Sequence, residues 1–477
     1  MLQTISLFAP LLLLAVSASL LLGFGVSKDK DRSVIVRYIA VGLLVLFSFM
    51  GLLFGQPNGE AFKGALVVNN YTHYLNMFLG LSAAAALMFS KSFFQAEKLD
   101  RYEYSVLVLY AVLGMSIMVS ANSLLSLYIG IELQSLALYV MAAFNRDSLR
   151  ASEAGLKYFV LGAISSGLLL YGSSLIYGFT GSLEFGRIAE VVSAGATPGI
   201  IAGMVFLLCG LAFKISAAPF HMWTPDVYEG APTPVTGFFA AAPKFAAMAL
   251  IARLIIGPFG DIATQWQQVI IVLAALSMFV GAIGALAQTN IKRLMAYSSI
   301  ANMGYALVPL AAGTVAGVNG MLLFMSIYVI TTIGVFACIL QMRIRSGMVE
   351  QISDLSGLSK TNKPLAIILS MFMFSVMGIP PFLGFFGKVF AFLPAMQAGL
   401  TWLVVLALIA SVIGAFYYLR IVKMIWFDES ENEFVSAPKT LQGLSTLSAL
   451  LVLPLFLLPF FAVRSQGLIA QAAASLF

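Results

Sequence analysis

Charge is scarce in this sequence. Asp, Glu, Lys and Arg together make up 10% of its 477 residues, against about 25% in an ordinary soluble domain. Histidine occurs only at positions 73 and 221, and cysteine only at 209 and 338. Two cysteines inside apolar runs give neither a metal-binding spacing nor a disulfide framework. Two histidines so far apart do not suit a haem held within one bundle. No glycine-rich phosphate loop and no activated nucleophile stands at a recognisable spacing. A cytosolic enzyme, a secreted disulfide scaffold and a disordered tail are thereby excluded. The net charge of +6 is no sign of nucleic acid, because in so apolar a chain it mostly reports topology.

What is present is hydrocarbon. Hydrophobic residues make up 61% of the chain, and the mean hydropathy is +0.98. A single soluble core stops growing near 250–300 residues, so this much apolar surface cannot be hidden from water. The sequence therefore predicts an all-α polytopic membrane protein. Stretches of about 20 apolar residues mark transmembrane helices. Fourteen are predicted, at 3–25, 34–56, 71–93, 102–120, 122–144, 152–179, 198–222, 233–256, 264–288, 291–312, 317–342, 364–395, 400–427 and 442–463. The first has no Lys or Arg ahead of it and is too long for a signal-peptide core, so it counts as a helix. No stretch is left for a soluble domain. The longest connections lie near 57–70, 180–197, 343–363 and 428–441, the last a solvated loop with Asp428, Glu429, Glu431 and Glu433.

Basic residues are spread unevenly over the two sides. The connections after odd-numbered spans, with their flanking turns, hold eighteen Lys and Arg, including Lys28, Lys30, Arg37, Arg150, Lys292 and Arg293. The other side holds Lys63, Arg187, Arg253 and Arg464. The positive-inside rule then places the odd connections in the cytoplasm and both termini outside.

Five charges remain, inside the spans: Glu132, Lys157, Lys214, Lys244 and Lys388. A charge at the bilayer centre costs about 2.5–3.5 kcal/mol on insertion scales, so such residues face protein or water and mark ion paths. Lys157 sits four residues after Glu153, near the start of its span, where snorkelling to the headgroups is an equal alternative. A structural hydrogen bond is the alternative for Glu132. A buried amine loses affinity for its proton and a nearby carboxylate restores it, so small movements between them can relay protons. His221 lies seven residues beyond Lys214, about 10 Å on a continuous helix and on the same face. It is a candidate shuttle or an interfacial cap. His73, beside Tyr71 and Tyr74, reads as an interface residue.

Proline marks two of these spans. Pro219 follows Lys214 in AFKISAAPFHMW (212–223), and Pro380 and Pro381 precede Lys388 in SVMGIPPFLGFFGK (375–388). Proline removes a donor and clashes with the preceding turn. A broken helix within the membrane is tolerated where it lines protein or a wet cavity. The segments SAAPF and GIPPF align at an offset of 162 residues, five spans apart, which predicts an inverted repeat of spans 4–8 on 9–13. At that offset the position opposite Glu132 is Leu294.

FKISAAPFHMWTPDVYEGAPTPVTGFFAAAPKFAA (213–247) resembles the signature of the antiporter-like membrane subunits of respiratory complex I. IELQSLALYV (131–140), KYFVLGAISSGLLLYG (157–172) and NIKRLMAYSSIANMGY (290–305) agree with it, and the resemblance covers nearly the whole chain. It implies fourteen helices, two inverted five-helix repeats and broken helices at spans 7 and 12. The corresponding segments are 1–100 (three helices), 101–257 and 258–427 (the repeats) and 428–477 (loop and last helix). It implies a proton path in which Glu132 pairs with Lys214, Lys244 sits centrally and Lys388 faces the exit side or the next subunit, with Lys157 and His221 secondary. It further implies no redox cofactor in this chain. NADH, FMN, iron–sulfur clusters and a quinone are handled by other subunits, and the neighbours are further membrane subunits in a bacterial inner membrane. Lys388 disfavours the paralogue with Glu at that position, and the end of the chain just after span 14 disfavours the longer paralogue with a lateral helix. A subunit of an Mrp-type cation/proton antiporter and a passive scaffold are the alternatives.

Overall fold

The computed structural model describes residues 2–26, 32–55, 57–429, 433–453 and 467–477. Lys28, Lys30, Glu431, Arg464 and the second half of span 14 lie outside the described residues. Predominantly helical, the described chain has ten helices long and apolar enough to cross a membrane, with shorter apolar helices at Pro198–Lys214, Lys363–Met377 and Leu383–Gln397.

The order is α1 (Leu2–Gly25), α2 (Arg32–Leu53), α3 (Asn70–Ala96), α4 (Tyr102–Ser120), α5 (Leu124–Ala142), α6 (Leu149–Thr180), α7 (Phe185–Ala194), α8 (Pro198–Lys214), α9 (Trp223–Gly230), α10 (Thr233–Ala240) and α11 (Ala242–Ile256). It continues with α12 (Ala263–Leu286), α13 (Ile291–Leu310), α14 (Val315–Ile339), α15 (Leu358–Thr361), α16 (Lys363–Met377), α17 (Leu383–Gln397), α18 (Thr401–Phe427) and α19 (Lys439–Leu451), with a last turn of helix at Leu468–Ala474. Local chemistry starts these helices where hydropathy predicts. Asn69 with Thr72, and Ser123 with Ser126, form reciprocal capping boxes before α3 and α5, satisfying donors that a helix start leaves free. Proline stands in the first turn of α8, α10, α11 and α16, where its missing N–H costs nothing. The 180–197 connection between spans contains the amphipathic α7, which buries Phe185, Ile188 and Val192.

Helices α10, α11 and α14 are buried almost throughout and form the centre, while α1, α2, α6 and α18 expose large apolar side chains outward. The connections gather on two faces. On one, a hairpin (Gly59–Ala61 with Leu66–Val68) meets Ala121, and Ser123 bridges Glu184. On the other, Asn290 bridges Gln351, and an ion-pair cluster joins Arg150, Glu229, Lys292, Arg293 and Glu350.

One arrangement recurs at a spacing of 167 residues. Ser123 caps α5 and bridges Glu184, and Asn290 caps α13 and bridges Gln351 on the opposite face. Gly114 lies so close to α5 that a Cβ would meet the Gln134 nitrogen at 2.5 Å, and at Gly281 it would meet that of Ala301 at 2.4 Å. Further along, the spacing shrinks to 162, the distance from Pro219 to Pro381, each preceded by a cis peptide bond. The difference arises after the bridge, where the first copy holds the ten-residue α7 and the second only the short turns 352–355 and 358–361.

Candidate functional site

Each of three buried lysines sits at an interruption of its helix. Helix α8 ends at Lys214, and the chain turns through Ser216, which has positive φ, before α9 begins. The groups freed by this break find partners: Trp223 Nε1 donates to the Phe213 carbonyl at 3.1 Å, and the Ala218 amide donates to Ser277 Oγ at 2.8 Å. Lys388 lies one turn into α17, beyond the break between α16 and α17, and its Nζ donates to the freed Met377 carbonyl at 2.8 Å. A third interruption, not foreseen, separates α10 from α11 at Ala241 (φ −104°, ψ −90°), three residues before Lys244.

The surroundings of the three amines are alike. Lys214 donates to Ser135 Oγ at 2.7 Å, Lys244 to Ser299 Oγ at 2.6 Å and Lys388 to Ser411 Oγ at 2.8 Å. Each also lies over a tyrosine ring, Tyr139 at 5.9 Å, Tyr228 at 5.1 Å and Tyr305 at 4.9 Å respectively. Their exposures are 7%, 1% and 9%. None forms an ion pair within 4.0 Å among the described residues. The expected Glu132–Lys214 pair is therefore not a direct contact. Glu132, half-buried, accepts from Ser166 on α6 and stands one turn before Ser135, the hydroxyl that holds Lys214.

Lys157 does not join this row. Its side chain is 42% exposed and sits between Glu153 at 2.7 Å and Asp226 at 2.8 Å. Asp226 also pairs with Arg293 at 2.7 Å, which draws Lys157 into the surface ion cluster. Partial burial works against the Asp226 charge, but Lys157 and Arg293, each hydrogen-bonded to it, hold its carboxyl below the usual range. His221 does not share a helical face with Lys214, because α8 stops at Lys214 and residues 215–222 form turns. His221 Nδ1 is buried without a partner. His73 Nε2 bonds the Pro57 carbonyl at 2.9 Å.

An aromatic run links the first two lysines. Tyr139 meets Tyr158 edge-on, Tyr158 stacks on Trp223 at 4.4 Å, and Trp223 meets Tyr228. On the same segments, 216–233, lie buried hydroxyls that make no hydrogen bond among the described residues: Ser216 Oγ, Thr224 Oγ1 and Thr233 Oγ1. Buried polar groups rarely go unsatisfied, and ordered water is the usual partner. Thr233 also lines a cleft that opens on the ion-cluster face among Asn145, Ser148, Glu229, Lys292 and Glu350. Between the second and third lysines, Ser299 Oγ bonds Tyr328 OH at 2.6 Å. Tyr328 borders a small cleft shared with Asn302, Thr331, Ser375 and Lys388.

Sequence reasoning missed the hydroxyl partners, since a serine in a helix leaves little mark on hydropathy. It also missed Ser299 as the residue matching Glu132. At the 167-residue spacing of the paired helices the counterpart is Ser299, the partner of Lys244, and not Leu294. Arg253, counted among the surface charges, is 6% exposed. Arg37 is buried too, paired with Asp100. Among the described residues no group of three or more His, Cys, Asp or Glu is arranged to hold a metal ion.

Broken helices carrying buried lysines define a polytopic membrane protein of the ion-translocating class. Residues 121–414 match the family described as NADH:quinone oxidoreductase/Mrp antiporter, TM, and the chain belongs to that family. It is 56% identical over 468 residues to NADH-quinone oxidoreductase subunit N of Maricaulis maris, covering 97% of this chain and 98% of that protein. To the subunit N of Parvibaculum lavamentivorans it is 54% identical over 471 residues, covering 98% and 96%. A chain of respiratory complex I from Thermus thermophilus with bound aureothin superposes with a TM-score of 0.82 at 34% identity, covering 94% of this chain and 97% of that one. A chain of the Mrp complex from Dietzia superposes at 0.85 with 20% identity, covering 99% and 97%, a likeness of fold alone.

Proposed function

We propose that this chain is a proton-translocating membrane-arm subunit of complex I, of the kind named subunit N. It couples NADH oxidation and quinone reduction in other subunits to proton movement through its own buried lysines. The observation that carries this is the row of three amines, each at a helix break, each hydrogen-bonded to a serine and none locked to a carboxylate. A lysine fixed in an ion pair would hold its proton. A lysine held by a hydroxyl, with a carboxylate one step away, can give it up when that carboxylate moves. Glu132 is so placed relative to Lys214.

The path runs from Lys214 along the aromatic and hydroxyl groups to Lys244, then through Ser299, Tyr328 and the Asn302 cleft to Lys388. The unpartnered polar atoms between Lys214 and Lys244 support hydration of that stretch. His221 stands beside the first break as a secondary group. Lys157 supports the path indirectly, through the ion cluster that ties α6 and α9 to α13. The chain has fourteen spans in this reading, with inverted repeats at 101–257 and 258–427 between an N-terminal segment 1–100 and a C-terminal one 428–477. The recurring bridges on opposite faces support the inversion. The ion-cluster face is cytoplasmic by its basic residues, which leaves both termini periplasmic in a bacterial inner membrane. Neighbouring antiporter-like subunits are its partners, and no cofactor is assigned to this chain. A passive scaffold would do better with apolar residues at 214, 244 and 388, given the cost of burying charge.

The test is NADH-driven proton pumping in membrane vesicles of the Lys214→Ala and Glu132→Ala variants, normalised to quinone reduced. Pumping should fall sharply in both. Full pumping by fully assembled variants would refute the path.

A further inference from the structure

We propose that Arg253 is a fixed positive charge that bars protons held at Lys244 from escaping directly to the face opposite the ion cluster, so that they must leave by way of Lys388. The inference rests on the proton path above and adds a stopper to it.

Arg253 stands nine residues after Lys244 on α11, about 13–14 Å along the helix, and turns towards α3. Its guanidinium lies 5.3 Å from the Tyr71 ring. Nε and Nη2 are buried and have no partner, and no carboxylate within 4.0 Å forms an ion pair with it among the described residues. A buried guanidinium without an acid is costly. The carbonyl end of α11 offsets part of that cost, but an apolar residue there would carry none.

What lies between the two cations explains its use. From Lys244 a chain of hydroxyls leads away: Ser299, then Tyr328 on α14. Two residues before Tyr328 on the same helix, and therefore on its other side, Ser326 Oγ bonds Tyr74 OH of α3 at 2.5 Å. One turn further towards the start of α3 is Tyr71, whose hydroxyl donates to the Ala249 carbonyl and whose amide donates to Ser475 Oγ at the face. These hydroxyls form separate hydrogen-bonded pairs, Ser299 with Tyr328 on one side of α14 and Ser326 with Tyr74 on the other, at successive depths between Lys244 and that face; protons stepping between them would bypass Lys388 and dissipate the gradient. Arg253 is at the mouth of this route. A guanidinium keeps its charge at every physiological pH, and a fixed cation in a narrow passage repels protons and cations. Arg37, by contrast, is neutralised by Asp100 and lies on the other face.

The test uses the whole complex reconstituted in liposomes, with passive proton flux measured under an imposed pH gradient and electron transfer under uncoupler as the reference. R253Q should raise passive flux about ten-fold, the scale set by removing a unit charge from the route at intermediate dielectric. R253K should stay as tight as the parent, and R253Q combined with K244M should return to the parent flux, because the leak then has no donor. Arg253→Met, which leaves no polar group to bury, stands in if R253Q does not assemble. An R253Q complex as tight as the parent would overturn the inference. So would a leak that persists with K244M, which is general loosening, or failure of both neutral variants to assemble while R253K assembles fully. Any of these, with K214A and E132A still abolishing pumping, removes the stopper and leaves the path. Normal pumping in those two variants removes the path itself.

Discussion

Removing a single hydroxyl, that of Ser299, should disable the middle of the path. Lys244 is 1% exposed, and Ser299 Oγ at 2.6 Å is the acceptor that holds its ammonium. The ammonium also lies over the Tyr228 ring, 5.1 Å from its centroid. A hydrogen bond to a charged group contributes about 1.5–3 kcal/mol net, and most of that is lost to the charged form when Ser299 becomes Ala. At 1.36 kcal/mol per factor of ten, the charged state of Lys244 is disfavoured by between about ten- and a hundredfold. Ser299 is also the link to Tyr328 at 2.6 Å, so the route to Lys388 is cut at the same point. The assay is protons moved per NADH oxidised in proteoliposomes, with assembly followed on a native gel. Ser299→Ala should lower the ratio strongly, and Ser299→Thr, which keeps the hydroxyl, should retain it. Normal stoichiometry in a fully assembled Ser299→Ala complex would refute the assignment of Ser299 to the path.

Other expectations concern the scaffold around the row. Gly378 has φ +89°, and a Cβ there would lie 3.0 Å from Lys388 Cδ and 3.2 Å from its Nζ; Gly378→Ala should cost about 1–3 kcal/mol through backbone strain and lower both thermal stability and pumping, whereas unchanged pumping would show that Lys388 tolerates displacement. Glu350→Ala removes the acid 2.6 Å from Lys292, which is 3% exposed; stranding a buried charge costs about 3–5 kcal/mol, and the loss should appear as reduced assembly or a lower melting temperature. Asp226 has a depressed carboxyl in the folded state, so its ion pairs with Lys157 and Arg293 contribute stability that is fully present above the unfolded carboxyl range near 4 and is lost as pH falls through the folded value. Thermal melts of an Asp226→Asn complex should accordingly match the parent in strong acid and fall below it at neutral pH, and equal melting at neutral pH would remove Asp226 from the ion cluster's stabilising groups.

Membrane class, the apolar stretches that form the ten long apolar helices, and the lysines that are buried at 214, 244 and 388 were legible in the sequence. Each follows from a local quantity. A stretch of apolar residues must face lipid or core wherever it lies, and an amine within it carries its desolvation cost whatever its neighbours are. Proline breaks are local for the same reason, so those at 219 and 380–381 were expected, and the one at Ala241 was not because Pro243 reads as an ordinary helix start. The partners were another matter. Ser135, Ser299 and Ser411 lie 79, 55 and 23 residues from the lysines they hold, and a serine in a helix is close to neutral in hydropathy, so no periodicity announces it. Whether an arginine near a helix end snorkels or is sealed, as Arg253 is, depends on which helix packs over it. Whether Glu132 touches Lys214 or stands off from it depends on angstroms between α5 and α8. Solvation costs are additive along a chain and were fixed by composition, but hydrogen bonds between distant segments exist only once the helices have packed, and it is these that decide where a proton can go.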